Sequence, residues 1–234
     1  MSENHTFVLQ QVIDDLLNGD NSLEIALLKL NYFARLVKNE ELLQFTNLEI
    51  NGYKGDIDPP AYRKAIGTLT VNLQAWQNYY TKEVPVSMLE EPFNEKLQFL
   101  GIYDGIKVLE SMAAKANNSD SQLLKTDLPM EMLSYIQPAV TKLYKSNVKL
   151  VAIGAMLTAN PNVVIQIIST VRSRLLAFVM EIAEKFGYTI EISSFKTDLT
   201  VNNQVINNFI RTEITNTGNE NIINTGSGIE ITKS

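Results

Sequence analysis

The stretch from Leu150 to Phe186 most limits what this chain can fold into. From Leu150 to Val171 it carries no formal charge, long enough to cross a bilayer by helix rise alone. Composition argues against a span. Asn160, Pro161, Asn162 and Gln166 lie near its centre, where unpaired polar groups are costly, and Asn-Pro reads as a boundary between two shorter elements. The expectation is a buried core segment followed by a capped helix with Pro161 in its first turn. Val164, Ile168, Val171, Leu175, Phe178, Ile182 and Phe186 then recur at spacings of three or four, with Arg172, Arg174, Glu181 and Glu184 off that face and Gly187 as the stop. Such a helix needs other elements to cover its apolar face, so it is read as the spine of the core.

Those elements are legible upstream. Phe7 to Leu17 has helical spacing and stops at Asn18-Gly19-Asp20. Ser22 can cap a second helix lined by Leu23, Leu27, Leu30, Ala34 and Val37. Asn39 can cap a third, because Glu40 and Glu41 fall in its first turn, and Asn51-Gly52 can end it. Ile66 to Leu73 alternates with period two, as a half-buried strand does, and Glu83 to Leu89 is its expected partner. Residues 94–116, with an interruption around Gly101 and Gly105, and 130–144 return to helical spacing, and Thr189 to Phe195 reads as a strand. Beyond about Lys196 the composition turns to Asn, Thr, Gly and Ile. There Glu213-Ile214-Thr215 recurs as Glu230-Ile231-Thr232, and Asn216-Thr217-Gly218 as Asn224-Thr225-Gly226. The expected fold is therefore mainly α, a helical bundle with a small inserted β-hairpin and a C-terminal β-type tail. The domains are read as a helical body over 1–195 and a β-forming oligomerisation or interaction tail over 196–234.

Composition excludes several kinds of chemistry. With 45% hydrophobic residues the chain can bury a core, and with no cysteine it has no disulfide, thiol nucleophile or thiolate metal site. His5 is the only histidine, which removes histidine metal pairs and Ser/His couples. The 26 acidic residues outnumber the 20 basic ones, which disfavours nucleic acid as a partner, and the N-terminus lacks the pattern of a signal peptide. A cytoplasmic protein without metal or cofactor is expected, and membrane association is disfavoured.

Few residue groups invite chemistry. Glu49, Asp56 and Asp58 offer carboxylates for a hard cation, although their spacing fits no established metal loop and an acidic turn is the simpler reading. Gly226-Ser227-Gly228 is a turn rather than a phosphate loop. Arg172, Arg174, Lys142, Lys145 and Lys149 are either a positive patch or solvated charges beside an apolar helix. Trp76 with Tyr79 and Tyr80 can stack a base or a sugar, or simply close a core edge.

The run Leu30-Asn31-Tyr32-Phe33-Ala34-Arg35-Leu36-Val37-Lys38-Asn39-Glu40-Glu41-Leu42, then Glu49-Ile50-Asn51-Gly52-Tyr53, then Pro60-Ala61-Tyr62-Arg63, resembles the AbiTii domain. Val171 to Ile182 looks like that family's late helix, and Thr46-Asn47-Leu48 stands where the family pattern has a Trp. The resemblance implies a role in abortive-infection defence against phage and brings no catalytic residues. Its motif residues Asn39, Glu40, Glu41, Asn51, Gly52, Tyr53, Tyr62 and Arg63 are read as structural. The expected function is antiphage defence through protein–protein interaction and self-assembly rather than catalysis. The partner is the chain itself, through Ile214, Ile222, Ile223, Ile229 and Ile231 of the tail, with a phage or host protein as trigger. The alternatives are a metal-dependent nuclease or nucleotide-processing effector using Glu49, Asp56 and Asp58, and a membrane-disrupting toxin using Leu150 to Val171.

Overall fold

The computed structural model describes residues 5–55, 57–116 and 123–214. In chain order the elements are β1 (Thr6–Val8), α1 (Gln10–Leu17), α2 (Leu23–Leu36), α3 (Glu40–Asn51), β2 (Lys64–Ile66), β3 (Thr68–Ala75), β4 (Asn78–Val84), α4 (Phe93–Lys96), β5 (Phe99–Gly101), α5 (Ile106–Ala116), β6 (Leu124–Asp127), α6 (Leu133–Leu143), β7 (Val151–Ala159), α7 (Asn162–Phe186), β8 (Thr189–Glu191), α8 (Ile192–Thr197) and α9 (Leu199–Phe209). A π turn, Ile210–Ile214, follows α9. The chain divides into two compact units. One is built from the segment before Tyr62 and those beginning at Tyr103 and Val164, the other from Tyr62–Ile102 and the segment ending at Val163.

The first unit is helical, and its helix ends are closed by side chains. Ser22 Oγ accepts from the Glu24 amide at the start of α2, while the Glu110 carboxylate of α5 accepts from Ser22 Oγ and the Leu23 amide, each at 2.6 Å. Arg172 of α7 donates to the carbonyls of Asp15, Leu16, Asn18 and Asn21, satisfying the C-terminal end of α1 and the turn after it. The core between these ends includes Leu27, Leu30 and Phe33 of α2, Leu42 of α3, Ile106 and Leu109 of α5, and Leu175, Phe178 and Ile182 of α7, all fully buried. β1 and β8 pair antiparallel, Phe7 opposite Ile190, and Phe7, Phe33, Phe195 and Phe186 form a chain of ring contacts beside them.

The second unit is built on an antiparallel sheet in the order β4-β3-β7-β6, with a separate β2–β5 ladder. β3 buries Leu69, Val71, Leu73 and Ala75 in strict alternation. Helix α6 lies on this sheet against β7 and β4. Its Gln137 side chain accepts from the Ala152 amide and donates to the Leu150 carbonyl, fixing the start of β7. Against β3 the register of β7 shifts between Asn72 and Leu73, so Ile153 stands in a β-bulge.

The expectation of a helical bundle with a small hairpin is overturned: the fold is mixed, with three sheets among the described residues. The charge-free run that begins at Leu150 holds β7, a strand paired on both sides, so its near-continuous apolar pattern was ambiguous between strand and helix. Within residues 94–116 the helical spacing is broken by β5, which separates α4 from α5. Of Glu83 to Leu89 only Glu83 and Val84 pair with β3, because a two-residue turn at Trp76-Gln77 brings Asn78–Val84 back against it. Thr189 to Phe195 is a strand only to Glu191, and the helix expected from Phe7 starts at Gln10, after β1.

The β-type tail is overturned for residues 196–214, which are helical. Ile206, Ile210 and Ile214 recur every fourth residue and are buried, and that burial outweighs the weak helix propensity of the Asn and Thr between them. The rest of the expected tail lies outside the described residues. Helix α7 is long and apolar enough to cross a membrane by length and composition, with mean hydropathy 1.6 over its best window. Here its residues Val171, Leu175, Phe178 and Ile182 are buried, and its Arg172 serves the end of α1.

Gly52 and Gly105 meet in the first unit. Gly52 has φ +85, and a Cβ there would overlap the Tyr103 carbonyl and stand 2.9 Å from the Gly105 nitrogen; a Cβ on Gly105 would overlap the Ile50 carbonyl. Gly105→Ala should lower stability by about 2 kcal/mol or more, read as a fall in the urea midpoint, whereas Gly19→Ala, where a Cβ meets nothing within 4 Å, should change it little.

Candidate functional site

The turn between β3 and β4 places an unusual residue. Trp76 has φ 57, a left-handed conformation that costs a non-glycine residue about 1–2 kcal/mol, and two-residue hairpin turns normally use Asn, Asp or Gly there. The residue is 82% exposed. Cross-strand pairing of Leu73 with Tyr80 and of Ala75 with Asn78 puts these side chains on one face, while Tyr79 takes the other. Helix α6 covers part of that face and ends at Leu143. Past it the segment 144–150 stands as a wall, tied to β4 where Tyr144 Oη donates to the Glu83 carbonyl at 2.5 Å.

Between wall and hairpin lies a cleft of about 650 Å³. Leu73, Ala75, Leu143, Val148 and Leu150 contribute apolar surface, Trp76 and Tyr80 aromatic rings, Asn78 and Ser146 polar groups, and Lys82 and Lys145 positive charge. No carboxylate lines it. Of the aromatic group picked out in the sequence, the cleft therefore takes Trp76 and Tyr80 and leaves Tyr79. Of the candidate basic patch it takes Lys145. Lys149 lines a neighbouring depression with Lys145, and Lys142 is exposed on α6. Arg172 and Arg174 hold backbone carbonyls instead, Arg174 that of Ile214 at 2.5 Å. Lys82 was not singled out from the sequence. Its only signal was period two with Tyr80, visible once the strand start is known to be Asn78.

The carboxylates read as cation ligands do not form a site. Glu49 is fully buried in α3 and accepts a 2.6 Å hydrogen bond from Tyr53 Oη, Asp58 is exposed, and Asp56 lies outside the described residues. Among the described residues no group of three His, Asp or Glu side chains could hold a metal ion.

The quoted motif residues sit at joints. Asn39 caps α3, its Oδ1 accepting from the Leu42 amide at 2.8 Å, while its Nδ2 donates to Asn207 Oδ1 of α9 at 2.8 Å. Glu41 pairs with Arg211 through both carboxylate oxygens, and Glu40 is exposed in the first turn. Asn51 ends α3 and bonds back to the Asn47 carbonyl, Gly52 makes the close approach described above, and the Tyr53 amide donates to the Tyr103 carbonyl at 2.8 Å. In the second unit Tyr62 and Arg63 are buried, and Arg63 Nη1 lies 3.4 Å from the Ile102 carbonyl at the end of the β2–β5 ladder. Thr46, in the stretch Thr46-Asn47-Leu48 where a Trp was expected, is buried and accepts from Asn31 Nδ2 at 2.9 Å. Ile214 is buried, whereas Ile222, Ile223, Ile229 and Ile231 lie outside the described residues.

The AbiTii family model matches residues 8–208, most of the chain. The chain belongs to the AbiTii family. AbiTii ties it to abortive-infection, antiviral defence. No curated protein and no solved structure gives a significant match. The match covers both units and runs almost to the end of α9, so α3 and nearly all of α9, which Asn39 joins, fall within the AbiTii region, while Arg211, the partner of Glu41, lies just beyond it.

The two ends of the Asn39 amide can be tested separately. Asn39→Asp keeps the cap and loses the donor to Asn207, and should cost about 1 kcal/mol in urea unfolding. Asn39→Ala loses both and should cost about 2 kcal/mol, with faster amide exchange in α9.

Proposed function

We propose that this AbiTii protein defends the cytoplasm against phage by protein–protein interaction, and that the segment after Ile214 drives association of copies of the chain once a phage or host protein triggers it. The observation that carries the reading is the repeat of Asn216-Thr217-Gly218 as Asn224-Thr225-Gly226, set among Ile222, Ile223, Ile229 and Ile231. Aliphatic residues spaced with Asn, Thr and Gly suit intermolecular strand stacks, where amide side chains ladder and identical segments pair. Family membership supports the defence half of the reading. Because Ile214 is buried, this reading takes the associating segment to begin after it.

The test is solution mass by light scattering on a sizing column, comparing the full chain with one ending at Ile214. A cut at Ser194 would strip Phe195, Ile206, Ile210 and Ile214 from the core and confound the result. The full chain should be oligomeric and the shortened one monomeric, and Ile223→Lys with Ile231→Lys should reproduce the shortened chain's mass. Equal masses for full and shortened chains would sink the association half of the reading.

A further inference from the structure

We propose that the cleft between the β3–β4 hairpin and the segment 144–150 binds a nucleotide, its ring stacked on Trp76 or Tyr80 and its phosphate held by Lys82 and Lys145. The inference does not rest on association through the C-terminal segment.

Four features of the cleft point to this class. At about 650 Å³ it falls within the size of small-molecule sites. It presents aromatic faces to solvent, Trp76 82% exposed and Tyr80 44%, although burying such rings is the ordinary way to use them. Its charge is purely positive in a chain of net charge −6, and neither Lys82 nor Lys145 has an ion pair among the described residues. It also offers Asn78, whose amide can both donate to and accept from a base edge. Stacking surface, a polar edge reader and a local cation pair are the elements that nucleotide recognition combines.

The number of cations sets the size of the ligand. A nucleic acid strand needs a basic track along its backbone, and an acidic protein repels a polyanion. Two lysines beside one aromatic platform fit the phosphate of a single nucleotide. Leu143 at the end of α6 and Val148 and Leu150 of the wall add apolar lining for the ring.

Trp76 is the only tryptophan in the chain, so its fluorescence reports this cleft alone. The full-length protein is titrated with AMP and with ATP, and in parallel with adenosine and inorganic pyrophosphate. The expected result is saturable quenching by at least one nucleotide, with adenosine and pyrophosphate each binding more weakly than it does. Lys82→Ala and Lys145→Ala remove exposed side chains and leave the core intact; each should weaken nucleotide binding by about tenfold. Calorimetry with Trp76→Ala and with Tyr80→Ala checks the stacking half, where at least one of the two should show a similar loss and an unchanged affinity in both would overturn the proposal. The proposal is overturned by the absence of saturable quenching up to about 1 mM nucleotide. It is equally overturned by quenching that the lysine variants leave unchanged, or by pyrophosphate binding as tightly as the nucleotide.

Discussion

The Asn39 side chain works from both ends. Its oxygen satisfies a free amide at the start of α3, and its nitrogen reaches α9, more than half the chain away in sequence. Asn203 returns the contact by donating to the Val37 carbonyl, Arg211 reaches Glu41, and Arg174 holds the carbonyl of Ile214. Together with the β1–β8 ladder these bonds bring early and late parts of the chain into the first unit. Long loops are thereby closed by polar contacts, on top of apolar burial along α2 and α7, and the loop-closure entropy they cost grows only slowly with loop length. The C-terminal helices as far as Ile214 thus belong to the core of that unit.

The second unit rests on a mismatch of lengths. β3 keeps its buried alternation as far as Ala75, while α6, which covers the same face, stops at Leu143. The uncovered end of the face becomes the floor of the cleft, and the turn at its tip is made by a tryptophan in a conformation that asparagine or glycine would hold more cheaply. Strained backbone and an exposed aromatic ring at one position are hard to assign to stability. Both are consistent with a surface kept for a ligand.

The parts of the fold legible in the sequence were those fixed by local chemistry. Ser22 and Asn39 cap helices as their side chains suggested, β3 shows the alternation read from Leu69, Val71 and Leu73, and Asn160-Pro161 divides a buried segment from α7, which ends before Gly187. Strands without alternation escaped. β7 is flanked by β3 and β6, so its burial does not follow a clean period of two, and β1 and β5 are too short to carry a pattern. The hairpin was displaced because its reversal lacks the usual turn residues. The cleft was half legible: Trp76, Tyr80 and Lys145 stood out by residue type, but nothing in their spacing joined Lys145 to the hairpin.

The sequence by itself determined the absence of thiol and histidine-pair chemistry, the caps of α2 and α3, the long α7 and the resemblance to AbiTii, because each depends on residue types or on spacings within a few turns. Tertiary structure alone decided that Glu49 is a buried hydrogen-bond acceptor, that Arg172 and Arg174 serve backbone carbonyls, and that residues 196–214 are helical. It also decided that two lysines distant in sequence share a cleft with the only tryptophan. Those outcomes depend on which surfaces meet once the chain has folded, and a contact between distant residues leaves no mark on the local pattern of either.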